Sequence, residues 1–188
     1  MREIELAIQQ ADGHNFAGYG SVVPYPSFDR TEPAYEPTST GDGFSWYGRL
    51  LRERFDDDLS FGMVVSEASR SFEQRVFERH QRTVELLVPL DGDVVLILGQ
   101  TGAIARPFYA EHRDGTIDPL LEHGFGAFRV AAGQAVVLGR GIWHSAPLAV
   151  QRTRTLTCYR EGTERDDVDA VDLAELDARV VARDGASS

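Results

Sequence analysis

The sequence contains no lysine, since all nineteen of its basic residues are arginines. Chemistry that depends on a lysine Schiff base, including a lysine-bound pyridoxal cofactor, is therefore excluded. The only cysteine is Cys158, so no intrachain disulfide can form. It lies in a strand-like run, where we expect a buried, inert thiol.

Long apolar stretches are also missing. No run approaches the roughly 18 residues that a membrane-spanning helix requires, and the first residues contain no apolar signal core. Positive charge is scarce as well, because the formal net charge is −11 and the sequence pI is about 4.8. An acidic field repels phosphates and anionic lipids, so neither nucleic acid nor a membrane is an expected partner. These features favour a protein of the reducing cytoplasm.

What the sequence does contain is a series of short apolar or alternating runs that are separated by Gly, Pro and Asp. They predict strands at Ile4–Ile8, Phe61–Val65, Val84–Leu90, Val94–Leu98, Ala127–Ala131, Ala135–Leu138 and Thr155–Tyr159. Asp91-Gly92 indicates a hairpin turn, because Asp-Gly tolerates the positive φ angles of tight turns. Many short strands at close spacing are typical of a β-sandwich or a small barrel.

The length of 188 residues suits one domain. We expect this domain to span residues 1–173, including N-terminal strands and a loop at 24–43. Residues 171–181 predict a short helix, and residues 174–188 then form the helix end and an acidic tail.

Two motifs contain the residue types that bind divalent metals. The first, E-x-H-x4-E-x6-G, runs from Glu78 to Gly92, and the second, G-x5-G-x-G-x2-H, runs from Gly133 to His144. Glu78 and His80 are two residues apart, so a strand would place them on one face. Together the motifs predict a four-ligand site for Ni, Fe, Mn or Zn, formed by Glu78, His80, Glu85 and His144. We expect His14, His112 and His123 to be structural or surface residues.

The spacing of these motifs resembles that of the two cupin motifs. Glu78 stands in place of the first cupin histidine, Gly139 in place of a proline, and Leu148 in place of the final asparagine. This resemblance implies an all-β fold with minor helix. Its architecture would be a cupin-type jelly roll, or double-stranded β-helix, with the site inside the barrel and a short C-terminal helix.

The chain also resembles the ureidoglycolate lyase family. The similarity depends on residues 16–20, on Glu78-Arg79-His80 with the run to Gly92, and on Gly139 to His144. The chain departs from the family in four places. Glu85 replaces a glutamine, Gly139 and Ser145 replace histidines, and the region of Glu67 lacks an arginine.

The resemblance implies a homodimeric enzyme that splits ureidoglycolate into glyoxylate and urea. Glu78, His80 and His144 would be the catalytic residues. Arg140 and Arg152 are the candidate clamps for the substrate carboxylate, and Trp143 is a candidate wall of the substrate pocket. Two alternatives remain open: another metal-dependent cupin enzyme that acts on a small hydroxy or keto acid, and a non-catalytic cupin that binds a small molecule.

Overall fold

The computed structural model describes residues 2–24, 38–48, 50–55, 57–100 and 124–184. The predicted strands are present within these ranges, and several short ones join them. The described part of the chain contains sixteen strands: β1 (Arg2–Gln10), β2 (Gly20–Val22), β3 (Ser39–Gly41), β4 (Phe44–Trp46), β5 (Leu59–Ser66), β6 (Phe72–Gln74), β7 (Val76–Arg79), β8 (Glu85–Pro89), β9 (Val94–Gly99), β10 (Phe125–Val130), β11 (Val136–Leu138), β12 (Trp143–His144), β13 (Leu148–Ala149), β14 (Thr153–Arg160), β15 (Asp169–Asp172) and β16 (Ala178–Asp184).

The strands form two main sheets and a small hairpin. The larger sheet has the order β15-β7-β12-β9-β10-β1-β16-β6, with β13 also paired to β9. The smaller sheet has the order β2-β11-β8-β14-β5, and β3 pairs with β4. Asp91-Gly92 therefore joins strands of different sheets, so the expected hairpin at this position is wrong. Among the described residues, no helix is long and apolar enough to span a bilayer.

The central strand β9 of the larger sheet is buried on both faces. An inner cluster combines residues from both sheets: Ala11, Phe16, Tyr19, Leu87, Val94, Leu96, Leu98, Phe128, Val130, Val136, Leu138, Ile142 and Ala149. An outer cluster covers the opposite face of the larger sheet: Ile4, Phe77, Val95, Ile97, Phe125, Ala127, Trp143, Val171, Leu173, Ala178, Val180 and Ala182. Strand β9 contributes to both clusters by alternation, which explains its unbroken apolar sequence. The curled sheets around an inner core confirm the cupin-type β barrel.

The helix expected at residues 171–181 is wrong. This segment contains the end of β15, a 3-10 turn at Leu173–Leu176 and the start of β16. The Asp172 side chain caps the turn by accepting from the Ala174 N–H at 2.9 Å, and Asp177, with a φ of 52°, ends it. Strand β16 then pairs in parallel with β1 over seven positions. The pairing of Val180 and Val181 with β1 favours a strand here more than the weak helical pattern favours a helix.

Residues 178–184, which were expected to lie beyond the domain, form β16 and therefore belong to the larger sheet. Residues 185–188 lie outside the described ranges, as do most of the loop predicted at 24–43 and both His112 and His123. The described α-helix lies elsewhere, at Thr163–Asp166, and is called α1.

Candidate metal centre

Three neighbouring segments bring the four predicted ligands together. Glu78 lies on β7 and His80 follows that strand directly, while His144 ends β12 in register with Glu78. Trp143 points into the outer cluster, so alternation turns His144 toward the barrel interior. Glu85, which begins β8, shares the inner face of that strand with Leu87. The candidate site thus lies on the inner side of these strands, the place that the cupin resemblance implies.

Three of these residues, Glu78, His80 and His144, are close enough together to hold a single ion, and Glu85 lies beside His144. The candidate ligand atoms of Glu78, His80 and His144 all lie within 4.8 Å of one another. His144 Nε2 is 3.7 Å from Glu78 Oε1 and 3.3 Å from Glu85 Oε2. The two imidazole rings have centroids 5.1 Å apart. This geometry joins two imidazoles and two carboxylates at one place.

Both histidines are oriented through their Nδ1 atoms. His80 Nδ1 lies 2.8 Å from the backbone oxygen of Asp167, and His144 Nδ1 lies 3.0 Å from that of Ile142. A carbonyl oxygen can only accept, so each Nδ1 carries the proton and each Nε2 of the neutral ring presents a lone pair. Metal-binding histidines are commonly fixed in this way by a carbonyl on the other nitrogen.

Glu85 and His144 perturb each other. Burial alone raises the pKa of the Glu85 carboxyl, but the neighbouring imidazoles, His144 first, outweigh it and hold that pKa below its ordinary value. Burial lowers the pKa of His144, and the Glu85 carboxylate outweighs this effect and raises it. A buried carboxylate therefore stays charged beside an imidazole.

The unsatisfied atoms of this pair show that the residues fit a metal ion. Glu85 Oε2 and His144 Nε2 are both buried and lie 3.3 Å apart, and with a neutral His144 that carries its proton on Nδ1 neither atom has a hydrogen-bond partner among the described residues. Buried polar atoms without partners are costly, and a bound cation is one way to satisfy them. A donor set of two imidazole nitrogens with carboxylate oxygens suits the borderline divalent ions. The site could thus hold a divalent ion whose identity the donor set leaves open.

A pocket of about 240 Å³ opens onto three of these residues, Glu78, His80 and Glu85. Its volume suits a small metabolite. Strand β14 adds the hydroxyls of Thr157 and Tyr159 to the lining, α1 adds Glu164, and the other lining residues are Gly62, Met63, Val64, Thr163 and Val168.

Tyr159 is the titratable hydroxyl of this pocket. Burial, followed by the charge of Glu164 and Glu85, raises its pKa above the ordinary value. The phenol therefore stays protonated at neutral pH and can act as a hydrogen-bond donor.

Comparison with known protein families agrees with the geometry. A sequence model of the ureidoglycolate lyase family matches residues 4–180, which is nearly the whole chain.

The chain belongs to the ureidoglycolate lyase family.

Membership in this family implies an enzyme with lyase activity. No curated protein matches the chain closely enough to count as a relative.

Two solved structures share a weak overall similarity with this lyase-family chain. A dTDP sugar isomerase from Desulfovibrio desulfuricans G20 is 11% identical, with 69% of this chain and 76% of that chain covered and a TM-score of 0.36. Peruvianin-I, a cysteine peptidase from Thevetia peruviana latex, is 12% identical, with 82% and 93% covered and a TM-score of 0.34. Both similarities are too low to bear on the function of this family member.

The other predicted site residues of this lyase-family chain lie away from the described pocket lining. Arg140 donates to the backbone oxygens of Arg82, at 3.1 Å, and Arg54, at 2.9 Å. Arg152 is exposed and forms an ion pair with Glu67 at 3.1 Å. Trp143 is buried on the far side of β12 with the Arg79 guanidinium 4.4 Å above its ring. The structure thus unites the predicted ligands but does not bring these three residues to the pocket.

Sequence reasoning missed several residues of the site. Thr157 and Tyr159 alternate with the apolar Leu156 and Cys158, and this period-2 pattern could have identified a polar inner face on β14. Asp167, whose backbone oxygen holds His80, gave no comparable signal, because the contact spans 87 residues of sequence. His14, as expected, lies in an exposed loop.

Proposed function

We propose that this protein is a metal-dependent ureidoglycolate lyase that splits ureidoglycolate into glyoxylate and urea. The observation that supports the proposal is the convergence of Glu78, His80 and His144, with Glu85 beside His144, next to a small pocket. The Nδ1 contacts leave a lone pair on Nε2 of each neutral imidazole. Membership in the lyase family supplies the substrate.

The substrate is a carbinolamine, in which a hydroxyl and a urea nitrogen share one carbon beside a carboxylate. Cleavage removes the hydroxyl proton, forms the carbonyl of glyoxylate, breaks the C–N bond and returns a proton to the departing urea nitrogen. A divalent ion held by His80, Glu85, His144 and Glu78 would supply positive charge for the hydroxyl and carboxylate oxygens. We assign this centre to binding and orienting the substrate.

Proton transfer requires a group that the solvent can reach. The Glu78 side chain is about half exposed, at 49%, whereas that of Glu85 is mostly buried, at 12%. If Glu78 does not bind the metal, it is therefore the better candidate for taking the hydroxyl proton. The phenol of Tyr159, which lines the same pocket, is a candidate donor to the departing nitrogen.

The direct test is to incubate metal-replete protein with each enantiomer of ureidoglycolate and to measure urea, glyoxylate and ammonia. We expect equal amounts of urea and glyoxylate from one enantiomer, with loss of activity after chelation and recovery on adding the metal back. Ammonia in place of urea would contradict the lyase reaction. Absence of product from both enantiomers would contradict the substrate.

One observation favours a second candidate, a metal-dependent cupin enzyme for another small hydroxy or keto compound. The described pocket lining contributes three carboxylates, from Glu78, Glu85 and Glu164, and no arginine. A substrate with less negative charge would meet less repulsion there. Turnover of a neutral hydroxy compound in preference to ureidoglycolate would support this candidate.

We also propose that the enzyme works as a homodimer. Strand β5 ends the smaller sheet and exposes four apolar side chains on one face: Leu59, Phe61, Met63 and Val65. Edge strands of soluble proteins are usually protected by charges or proline, and β5 contains neither. Light scattering should give the mass of two chains, and Phe61→Glu should shift the protein toward monomer. A monomeric wild-type protein would contradict the proposal.

A further inference from the structure

The turn that carries His80 is held by a residue from far along the chain. His80, Gln81 and Arg82 leave β7 and reverse direction before β8. Asp167 directly follows α1 and is buried against this turn.

Asp167 contacts all three residues of the turn. Its backbone oxygen lies 2.8 Å from His80 Nδ1. Its carboxylate accepts from the Gln81 N–H and the Arg82 N–H, each at 2.9 Å and each on a separate oxygen. An ionised carboxylate offers an acceptor on both oxygens, which an amide of the same size does not. The arrangement therefore depends on an aspartate at this position.

Asp167 is itself fixed in place. Its N–H donates to the Thr163 backbone oxygen at 3.0 Å, and the Thr163 hydroxyl donates to the Arg160 backbone oxygen at 2.7 Å. On the opposite side, the His80 backbone oxygen accepts from the Gly141 N–H at 2.6 Å. His80 is thus held between the segment around α1 and the glycine turn that leads to His144.

We propose that Asp167 is a positioning residue that sets the tautomer and orientation of His80 for metal binding. This inference rests on the metal centre of the proposed function, but not on the identity of the substrate. By holding the Gln81 and Arg82 amides, the carboxylate keeps its own backbone oxygen opposite Nδ1, and Nε2 faces the other ligands.

The first test measures binding of Ni²⁺ alone by calorimetry. We expect Asp167→Asn to weaken Ni²⁺ binding about 10- to 100-fold, as is typical when a partner of a metal-binding histidine is lost. Asp167→Glu, which retains two acceptors, should recover part of the affinity. The matched control is Asp12→Asn, because Asp12 Oδ1 also accepts from two consecutive amides, those of His14 and Asn15, at 2.8 Å each. The control should bind Ni²⁺ like the wild type.

The second test observes the imidazole nitrogens of His80 by NMR in metal-free protein. Wild type and Asp12→Asn should show the Nδ1–H tautomer, and Asp167→Asn should show a mixture. Unchanged Ni²⁺ affinity together with an unchanged tautomer in folded Asp167→Asn would overturn the inference. If the wild-type protein bound no Ni²⁺, the metal centre of the proposed function would be contradicted. The tautomer of His80 would still show whether Asp167 sets the orientation of this imidazole.

If Asp167→Asn fails to fold, hydrogen exchange in the unmodified protein tests the same contacts of Asp167. The amides of Gln81 and Arg82 should exchange slowly, because both donate to a buried carboxylate. Fast exchange at either amide would overturn the inference.

Discussion

The two ends of strand β8 carry acidic residues in opposite situations. Glu85 begins the strand inside the barrel, and its buried Oε2 has no hydrogen-bond partner among the described residues. Asp91 follows the strand at the surface, where both of its oxygens lie 2.7 Å from the Arg154 guanidinium and one also accepts from the Arg154 N–H at 3.0 Å. Asp91 is fully satisfied by protein groups, and Glu85 is not.

This difference separates a structural carboxylate from a functional one. The ion pair of Asp91 with Arg154 satisfies the Asp91 carboxylate without any ligand. It links the segment after β8 to strand β14. Glu85 instead lies 3.3 Å from His144 Nε2, which is itself buried without a hydrogen-bond partner among the described residues. Buried groups that lack partners are expected where a site reserves them for a ligand. Substitutions of Glu85 and its neighbour His144 should therefore affect metal binding and turnover, and substitution of Asp91 should not.

The largest effect is expected from His144→Ala, which removes a proposed ligand. Turnover of ureidoglycolate should fall by about 10²- to 10⁴-fold, the range associated with loss of a central catalytic group. Circular dichroism should show that the fold is retained. His14→Ala, in an exposed loop, is the control and should keep full activity. Turnover in His144→Ala equal to that of the control would remove this residue from the site.

A smaller effect should distinguish the two carboxylates by metal-induced stabilisation. At a free Ni²⁺ concentration of 100 times the wild-type Kd, used for all variants, the wild-type protein should gain about 2.7 kcal/mol in the free energy of unfolding. Glu85→Gln should lose most of this gain, because an amide oxygen lacks the negative charge that the metal attracts. Asp91→Asn should keep it. Equal gains in both variants, measured by urea unfolding, would contradict the contrast between them.

The smallest effect is a pH dependence at Asp91. The Arg154 side chain, with help from the Arg154 N–H, lowers the pKa of Asp91 from 3.8 to about 2. Because the folded-state pKa is the lower one, the pair stabilises the protein above pH 3.8 and this contribution disappears as the pH falls toward 2. Asp91→Asn should therefore be less stable than wild type at neutral pH and equally stable near pH 2. A difference that persists in acid would mean that another contact is responsible.

The strands and the grouping of Glu78, His80 and His144 could be predicted because their signals are local. Alternation marks a strand wherever its partners lie, and glycine spacing identified Gly141, whose φ of 75° favours glycine in the turn before His144. The partners of each strand are not encoded locally. Gly92 illustrates this, since its φ is not positive and the reason for a glycine there is space. A side chain at this position would meet the Gln151 amide at 2.5 Å.

The remaining misses have the same origin. The helix expected at residues 171–181 fails because β16 inserts between β1 and β6, a pairing that depends on residues far away in sequence. The positions of Arg140 and Arg152 depend on which backbone oxygens and carboxylates fold near them, so composition alone could not place either one at the pocket. Asp167 was missed because its role arises entirely from a long-range contact.

The parallel pairing of β1 with β16 has a consequence for synthesis on the ribosome. Arg2 pairs with Ala178 and Ile8 with Asp184, so β1 gains this neighbour only after all the strands between β1 and β16 have been translated. Contacts of such long sequence separation form slowly, and until then β1 has an open edge on that side. Cells that make this protein must therefore tolerate or shield a nascent chain whose larger sheet is still open at β1.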